Sequence, residues 1–284
     1  MWKPGLAALM AAVALNGIAY ADSGWATRSE LGYVMARGNT DTESGNVKFD
    51  TAHAIGRWKY TLGGSALYAT SNHIETAQRW AGHFQTDLNF SDRAFWFAAL
   101  RYEDDRFSGF AYQESFSTGA GRDFIKSDKT HLMAQLGVGV RKLRSEELFK
   151  DTAGAVIQRI PGEPTTDAVA NAALVFERQF GASTKLIESL TVESGQANTS
   201  TKNNLSLQVR MNETLALAVG FQINNNSSPP PGMVTRTDKL TTINLVYELK
   251  NPKFSPTAVS HGPPTVPTLT TAQAASSGSS TGGK

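Results

Sequence analysis

The chain has 284 residues, of which 40% are hydrophobic and only 18% charged, with a formal net charge of +2 and no cysteine. Soluble domains carry about 25% charged residues, so this chain is short of charge, yet its apolar content is too modest for a helical membrane protein. The missing cysteines exclude disulfide frameworks, thiolate metal centres and cysteine nucleophiles, and the near-neutral balance gives no electrostatic case for nucleic acid.

Met1, Trp2 and Lys3 precede a short alanine- and leucine-rich stretch from Gly5 to Leu15, which ends in Ala19-Tyr20-Ala21. One positive charge, a short apolar region and an Ala-x-Ala site predict a secretory signal peptide over 1–21, cleaved after Ala21. That stretch falls short of the about 20 residues a transmembrane helix requires, and no other segment approaches that length. The expectation is an exported chain without helical anchors.

From Trp25 to Leu249 the dominant hydrophobic period is two, as in strands with one apolar face. Trp58, Tyr60, Leu62, Ala66 and Tyr68 share one face, against Lys59, Thr61, Gly63 and Ser65. Next, Trp80, Phe84, Leu88 and Phe90 oppose Arg79, His83, Gln85 and Asp87. The alternation predicts twelve strands, at 25–37, 45–56, 57–70, 78–91, 94–104, 112–124, 130–143, 167–180, 184–194, 202–211, 214–224 and 238–250. Even-numbered connections are short and odd-numbered ones longer, the longest running from Arg144 to Thr166 and from Asn225 to Thr237. Short turns on one rim and long loops on the other describe an all-β, up-and-down antiparallel transmembrane β-barrel over 22–250, with both ends in the periplasm. In lipid, unpaired strand edges cost several kcal/mol each, so the sheet has to close.

Trp58, Tyr68, Trp80, Phe90 and Tyr247 are the expected girdle aromatics at the two membrane interfaces. The opposite, inward face is expected to carry Arg28, Glu30, Lys48, Asp50, Lys59, Arg79, Asp87, Arg101, Glu103, Arg141, Glu177 and Arg210. Its residues read as too small and polar for a dry core, which leaves a narrow pore and a plugged lumen both open. Two positions break the pattern. Glu188 shares parity with Leu186, Leu190 and Val192 while Ile187 sits among polar residues, which predicts a bulge in the ninth strand. Arg122 shares parity with Phe116 and Phe124 but lies at the periplasmic end, where an outward charge costs little.

Trp25, Glu30-Leu31-Gly32-Tyr33, the loop Arg37-Gly38-Asn39-Thr40-Asp41-Thr42, and Ala120-Gly121-Arg122 before Gly137-Val138-Gly139 resemble a bacterial domain-of-unknown-function family described as salt-induced outer-membrane proteins. The resemblance spans the chain to about Leu249 and implies an outer-membrane β-barrel of a Gram-negative bacterium, with no catalytic residue to carry over. The last strand, with Thr242, Tyr247 and Leu249, also looks like the signal read by the outer-membrane barrel assembly machinery, with Asn244 where glycine is usual. Residues 251–284 then turn to Pro, Thr, Ser, Ala and Gly, which predicts a disordered periplasmic tail, whether a linker to a periplasmic partner or a non-functional extension.

Chemistry-bearing residues are sparse. Of the five histidines, His53 is expected outward near the periplasmic rim and His83 inward beside Gln85 and Asp87, and none is followed by the closely spaced serine of a lipid hydrolase. Glu103, Asp104 and Asp105, with Asp41 and Glu43, match no dedicated cation loop and read as solvated external carboxylates. Gly137 and Gly139 lack the helix a dinucleotide site demands and suit tight lumen packing or a sheet bend. No cofactor, metal or catalytic residue is expected; the expected partners are outer-membrane lipids and lipopolysaccharide. The sequence therefore points to a narrow small-solute channel or a non-enzymatic envelope component. A lipid-modifying enzyme dependent on His83 and a soluble secreted β-protein are the alternatives.

Overall fold

The computed structural model describes residues 25–36, 41–150, 156–196, 198–228 and 236–250. The signal peptide, the Arg37–Thr40 part of the family motif and the tail over 251–284 lie outside the described residues. Within them, the period-two pattern becomes twelve strands: β1 (Trp25–Ala36), β2 (Thr42–Ile55), β3 (Trp58–Ser71), β4 (Ile74–Asn89), β5 (Ala94–Asp105), β6 (Phe110–Lys126), β7 (Thr130–Lys150), β8 (Val156–Phe180), β9 (Thr184–Gly195), β10 (Thr199–Arg210), β11 (Leu215–Asn226) and β12 (Thr237–Lys250). Each strand pairs antiparallel with its chain neighbours, and β1 pairs with β12 from Ala26↔Lys250 to Leu31↔Leu245, which closes the ring. The closure leaves no free sheet edge along those six paired positions, which a barrel in lipid requires.

The rims are named here by their connections: the lower one carries the β2–β3, β4–β5 and equivalent turns, the upper one the β1–β2, β3–β4 and equivalent loops. The lower turns are tight, as expected; Gly56 takes φ +60°, a left-handed conformation glycine enters at little cost. Most upper connections are shorter than the expected long loops, because the strands absorb them, whereas the connection between Asn226 and Thr237 keeps most of its expected length. Ser71–Ala77 shrinks to the two-residue turn Asn72-His73, whose φ angles of 48° and 65° match the hairpin turn that follows strand twist. The predicted loop Arg144–Thr166 is largely ladder: β7 and β8 stay paired, across register shifts at Arg144/Glu146 and Phe149/Lys150, up to Lys150↔Val156, well beyond the last β6 partner at Ser145 and the last β9 partner at Val169. A two-stranded ribbon therefore rises above the upper rim. Pro161 and Pro164 lie on its β8 edge, where a residue without an N–H cannot offer a further strand a donor.

Side chains sort by parity as the alternation requires. Trp58, Leu62, Trp80, Phe84, Phe90, Trp96, Leu100, Leu136, Val138 and Tyr247 project outward and are exposed; Leu136 and Val138 retain 69% and 65% of their accessible surface. A soluble protein rarely exposes so continuous an apolar belt. Tyr68 is half-buried on the same outward parity. Near the lower rim, the outward rings of Trp25 and His53 stack at 4.3 Å.

Two expectations are corrected. First, β9 holds an unbroken register with both neighbours, so it has no bulge. Glu188 simply faces outward, accepting a 3.2 Å hydrogen bond from the Asn203 amide on the adjacent strand, and Ile187 faces inward. Second, the lumen does hold a dry cluster. Phe95, Phe97, Met133 and Val175, from β5, β7 and β8, point inward with 4% exposure or less and pack together toward the lower rim. Glycines make the room: a Cβ on Gly121 would meet the Phe95 ring at 2.2 Å, and one on Gly137 would meet Phe97 Cζ at 2.8 Å.

A candidate functional site in the lumen

Twelve strands about 4.8 Å apart and tilted by about 40° close on a backbone ring about 24 Å across if the section is circular. Most inward side chains reach less than half of that, so contacts normally link strands that are near neighbours. Lys59 (β3) meets Asp87 (β4) at 3.2 Å, and Lys185 (β9) meets Glu177 (β8) at 3.5 Å. Arg28 (β1) pairs with Glu30 at 2.9 Å and with Glu248 of β12, and reaches Gln208 of β10 at 2.9 Å. Lys48 comes to 3.7 Å from the other oxygen of Glu30. These expected lumen residues are all drawn in. Arg210 differs: it ends β10 at the lower rim and is exposed.

One cluster does more than lace neighbours. Near the upper rim, Glu103 of β5 receives Arg79 of β4 at 2.7 Å on Oε1, and Arg101 at 3.3 Å and Lys202 of β10 at 2.9 Å on Oε2. Strands β5 and β10 are five apart around the ring. The Lys202 and Glu103 side chains laid end to end fall well short of a circular diameter, so the barrel is flattened along that line and the pair spans the bore. Sequence reading placed Arg79, Arg101 and Glu103 inside but did not single out Lys202, although its parity with Asn204, Ser206 and Gln208 marks it as inward. The supposed external acidic cluster is split by the same alternation: Glu103 and Asp105 turn inward and are buried, while Asp104 has the opposite parity. Among the described residues no group of three or more His, Asp or Glu side chains is placed to hold a metal.

Beside this bar lies a second buried cation. Arg141, 1% exposed, donates to Glu193 at 3.1 Å and to the Asn198 carbonyl at 2.9 Å, with Asp167 at 3.8 Å. A cavity of about 30 Å³, lined by Arg101, Glu103, Arg141, Thr191, Glu193 and Lys202 among others, separates the two. Another of about 40 Å³ lies lower, beside His83, Gln85, Phe97 and Gln135. Each is partly open and has room for more than one water molecule. Side chains narrow the bore at two levels, by ion pairs across it above and by apolar rings along one wall below.

His83 Nε2 stands 3.3 Å from Asp50 Oδ1 in the space left by Gly63, whose Cβ would fall 2.1 Å from that carboxylate. Nδ1 of His83 has no hydrogen-bond partner among the described residues, so no hydroxyl nucleophile is assembled on it. His131 instead meets Asp123 at 2.8 Å near the lower rim.

The family model of DUF481, a protein family of unknown function, matches residues 29–249, which is the whole barrel apart from its first strand residues. The chain belongs to the DUF481 family. The Escherichia coli K12 protein YdiY, an uncharacterized protein, is 24% identical over 223 residues, covering 77% of this chain and 81% of its own. Among solved structures, the NanC porin is 12% identical with a TM-score of 0.44 and 79% and 100% coverage of this chain and its own. The KdgM porin is 8% identical with a TM-score of 0.38 and 80% and 99% coverage. The translocator domain of NalP from Neisseria meningitidis is 13% identical with a TM-score of 0.37 and 86% and 96% coverage. At these values the DUF481 barrel is read from its own geometry, and nothing about its role is transferred from those proteins.

Proposed function

We propose that the protein is a narrow, non-enzymatic channel of the bacterial outer membrane for small polar solutes, closed in the conformation described. The apolar outward belt supports the membrane location, with the tight-turn rim toward the periplasm. The observation that carries the channel reading is the Lys202–Glu103 pair. A barrel filled only for stability can be laced between neighbouring strands, as at Lys59–Asp87; a pair from opposite walls blocks the bore and opens it when broken. Purified protein in planar bilayers is expected to give small, infrequent conductance steps, and Lys202→Met to give larger and more frequent ones. Silence from both proteins contradicts the channel.

A second reading, a closed envelope barrel, is favoured by the apolar cluster of Phe95, Phe97, Met133 and Val175, which packs like a core. It predicts that Lys202→Met stays silent. The salt-induced description implied by the family resemblance enters as an expectation: protein abundance rises with external NaCl, checked by immunoblotting of outer-membrane fractions, and constant abundance contradicts it.

A further inference from the structure

We propose that Arg101 and Lys202, with Arg141 at the edge, form a binding site for the carboxylate of a small organic acid, in which the Glu103 side chain is the resident anion. The proposal rests on the channel reading, because it names the solute class that the upper bore takes. Arg101 and Lys202 both lean on one oxygen, Glu103 Oε2, at 3.3 and 2.9 Å. Among the described residues neither has another acidic partner within ion-pair distance, so two cations share one carboxylate; Arg79, by contrast, also has Asp105 at 4.0 Å. Arg141, 1% exposed, faces the same cavity, and among the described residues its buried Nε has no hydrogen-bond partner. Hydroxyls of Thr191 and Ser200 line the wall as further donors.

The chemistry follows from what the bar must do to open. Swinging Glu103 aside leaves like charges facing one another in a confined, partly desolvated space, which is costly unless an anion takes its place. An incoming carboxylate supplies the same two oxygens to the same planar guanidinium and ammonium donors, and the idle Arg141 Nε can add a charge-assisted bond. Solute binding and release of the cross-bore pair are then one exchange: the free acid takes the cations, and Glu103 is displaced. A neutral isostere such as an amide cannot make this exchange, because it brings no charge.

The test is chemical rescue in detergent solution, which needs no conductance. Glu103→Ala removes the resident anion and is expected to lower the thermal midpoint of the heat-modifiable barrel. Sodium acetate should restore it by about 4 °C at ten times its dissociation constant. Acetamide and sodium chloride at equal ionic strength should not, and the wild type should require at least about tenfold more acetate, because its tethered carboxylate competes. Equal shifts from acetate and chloride, or none, overturn the proposal. Where Glu103→Ala does not fold, Glu103→Gln keeps the volume, and saturable line broadening of ¹³C-acetate by that variant is the expected result; its absence overturns the proposal equally. A barrel that binds acetate yet stays silent in bilayers removes the channel reading and leaves the site standing.

Discussion

Toward the upper rim the lumen is filled by Glu103, Arg79, Arg101 and Lys202; toward the lower rim one wall is filled by Phe95, Phe97, Met133 and Val175. Both fillings draw on inward positions of β5, to which Phe95, Phe97, Arg101 and Glu103 all belong. They differ in how they can be undone. An ion pair can exchange one partner for a mobile ion of the same charge at small net cost, since the attraction lost is regained. Packed rings have no such substitute, and opening them leaves a void or wets apolar surface. The upper filling is thus suited to open and close, and the lower one to hold the flattened section in shape.

That comparison fails if the two levels respond alike to mutation. The largest effect is expected at Phe97→Ala, a loss of about 3–5 kcal/mol, read by urea unfolding of the barrel refolded into lipid vesicles. A loss below 1 kcal/mol would mean that the ring does not support the wall. Gly137→Ala comes next: its Cβ would sit 2.6 Å from the Thr118 carbonyl and 2.8 Å from Phe97 Cζ, and overpacking of this kind costs about 1–3 kcal/mol in the same measurement. Lys202→Met should cost no more than about 1 kcal/mol, because Glu103 keeps Arg79 and Arg101 as partners. The smallest effect has the opposite sign. Replacing the outward pair with Glu188→Leu and Asn203→Leu should stabilise the barrel in vesicles by about 1 kcal/mol, since a carboxylate in the lipid-facing band is unfavourable. A destabilised double variant would mean that this pair has a structural task.

Much of the fold was legible in the sequence because alternation encodes it. Where one face is apolar and the other polar, as in Trp58–Tyr68, parity alone assigned every side chain and the strand existed where expected. Three features escaped, each for a physical reason. Arg144–Thr166 is polar and carries two prolines, so it reads as loop; its strand character comes from pairing between β7 and β8, which no single segment displays. Phe95-Trp96-Phe97 is apolar on both faces, so parity could not reveal that two of the three rings point inward. Of the candidate site, Arg79, Arg101, Glu103 and Arg141 were placed in the lumen, but Lys202 was not paired with Glu103. That contact depends on how far the ring flattens, which is a property of the closed sheet and not of any strand.

The central claim, that one ion pair bars an otherwise openable bore, is tested most directly by single-channel recording of the wild type and Lys202→Met side by side, each shown to be folded by heat-modifiable mobility. Larger and more frequent conductance steps are expected for the variant than for the wild type. Two folded proteins with identical records, both silent or both conducting equally, would contradict it.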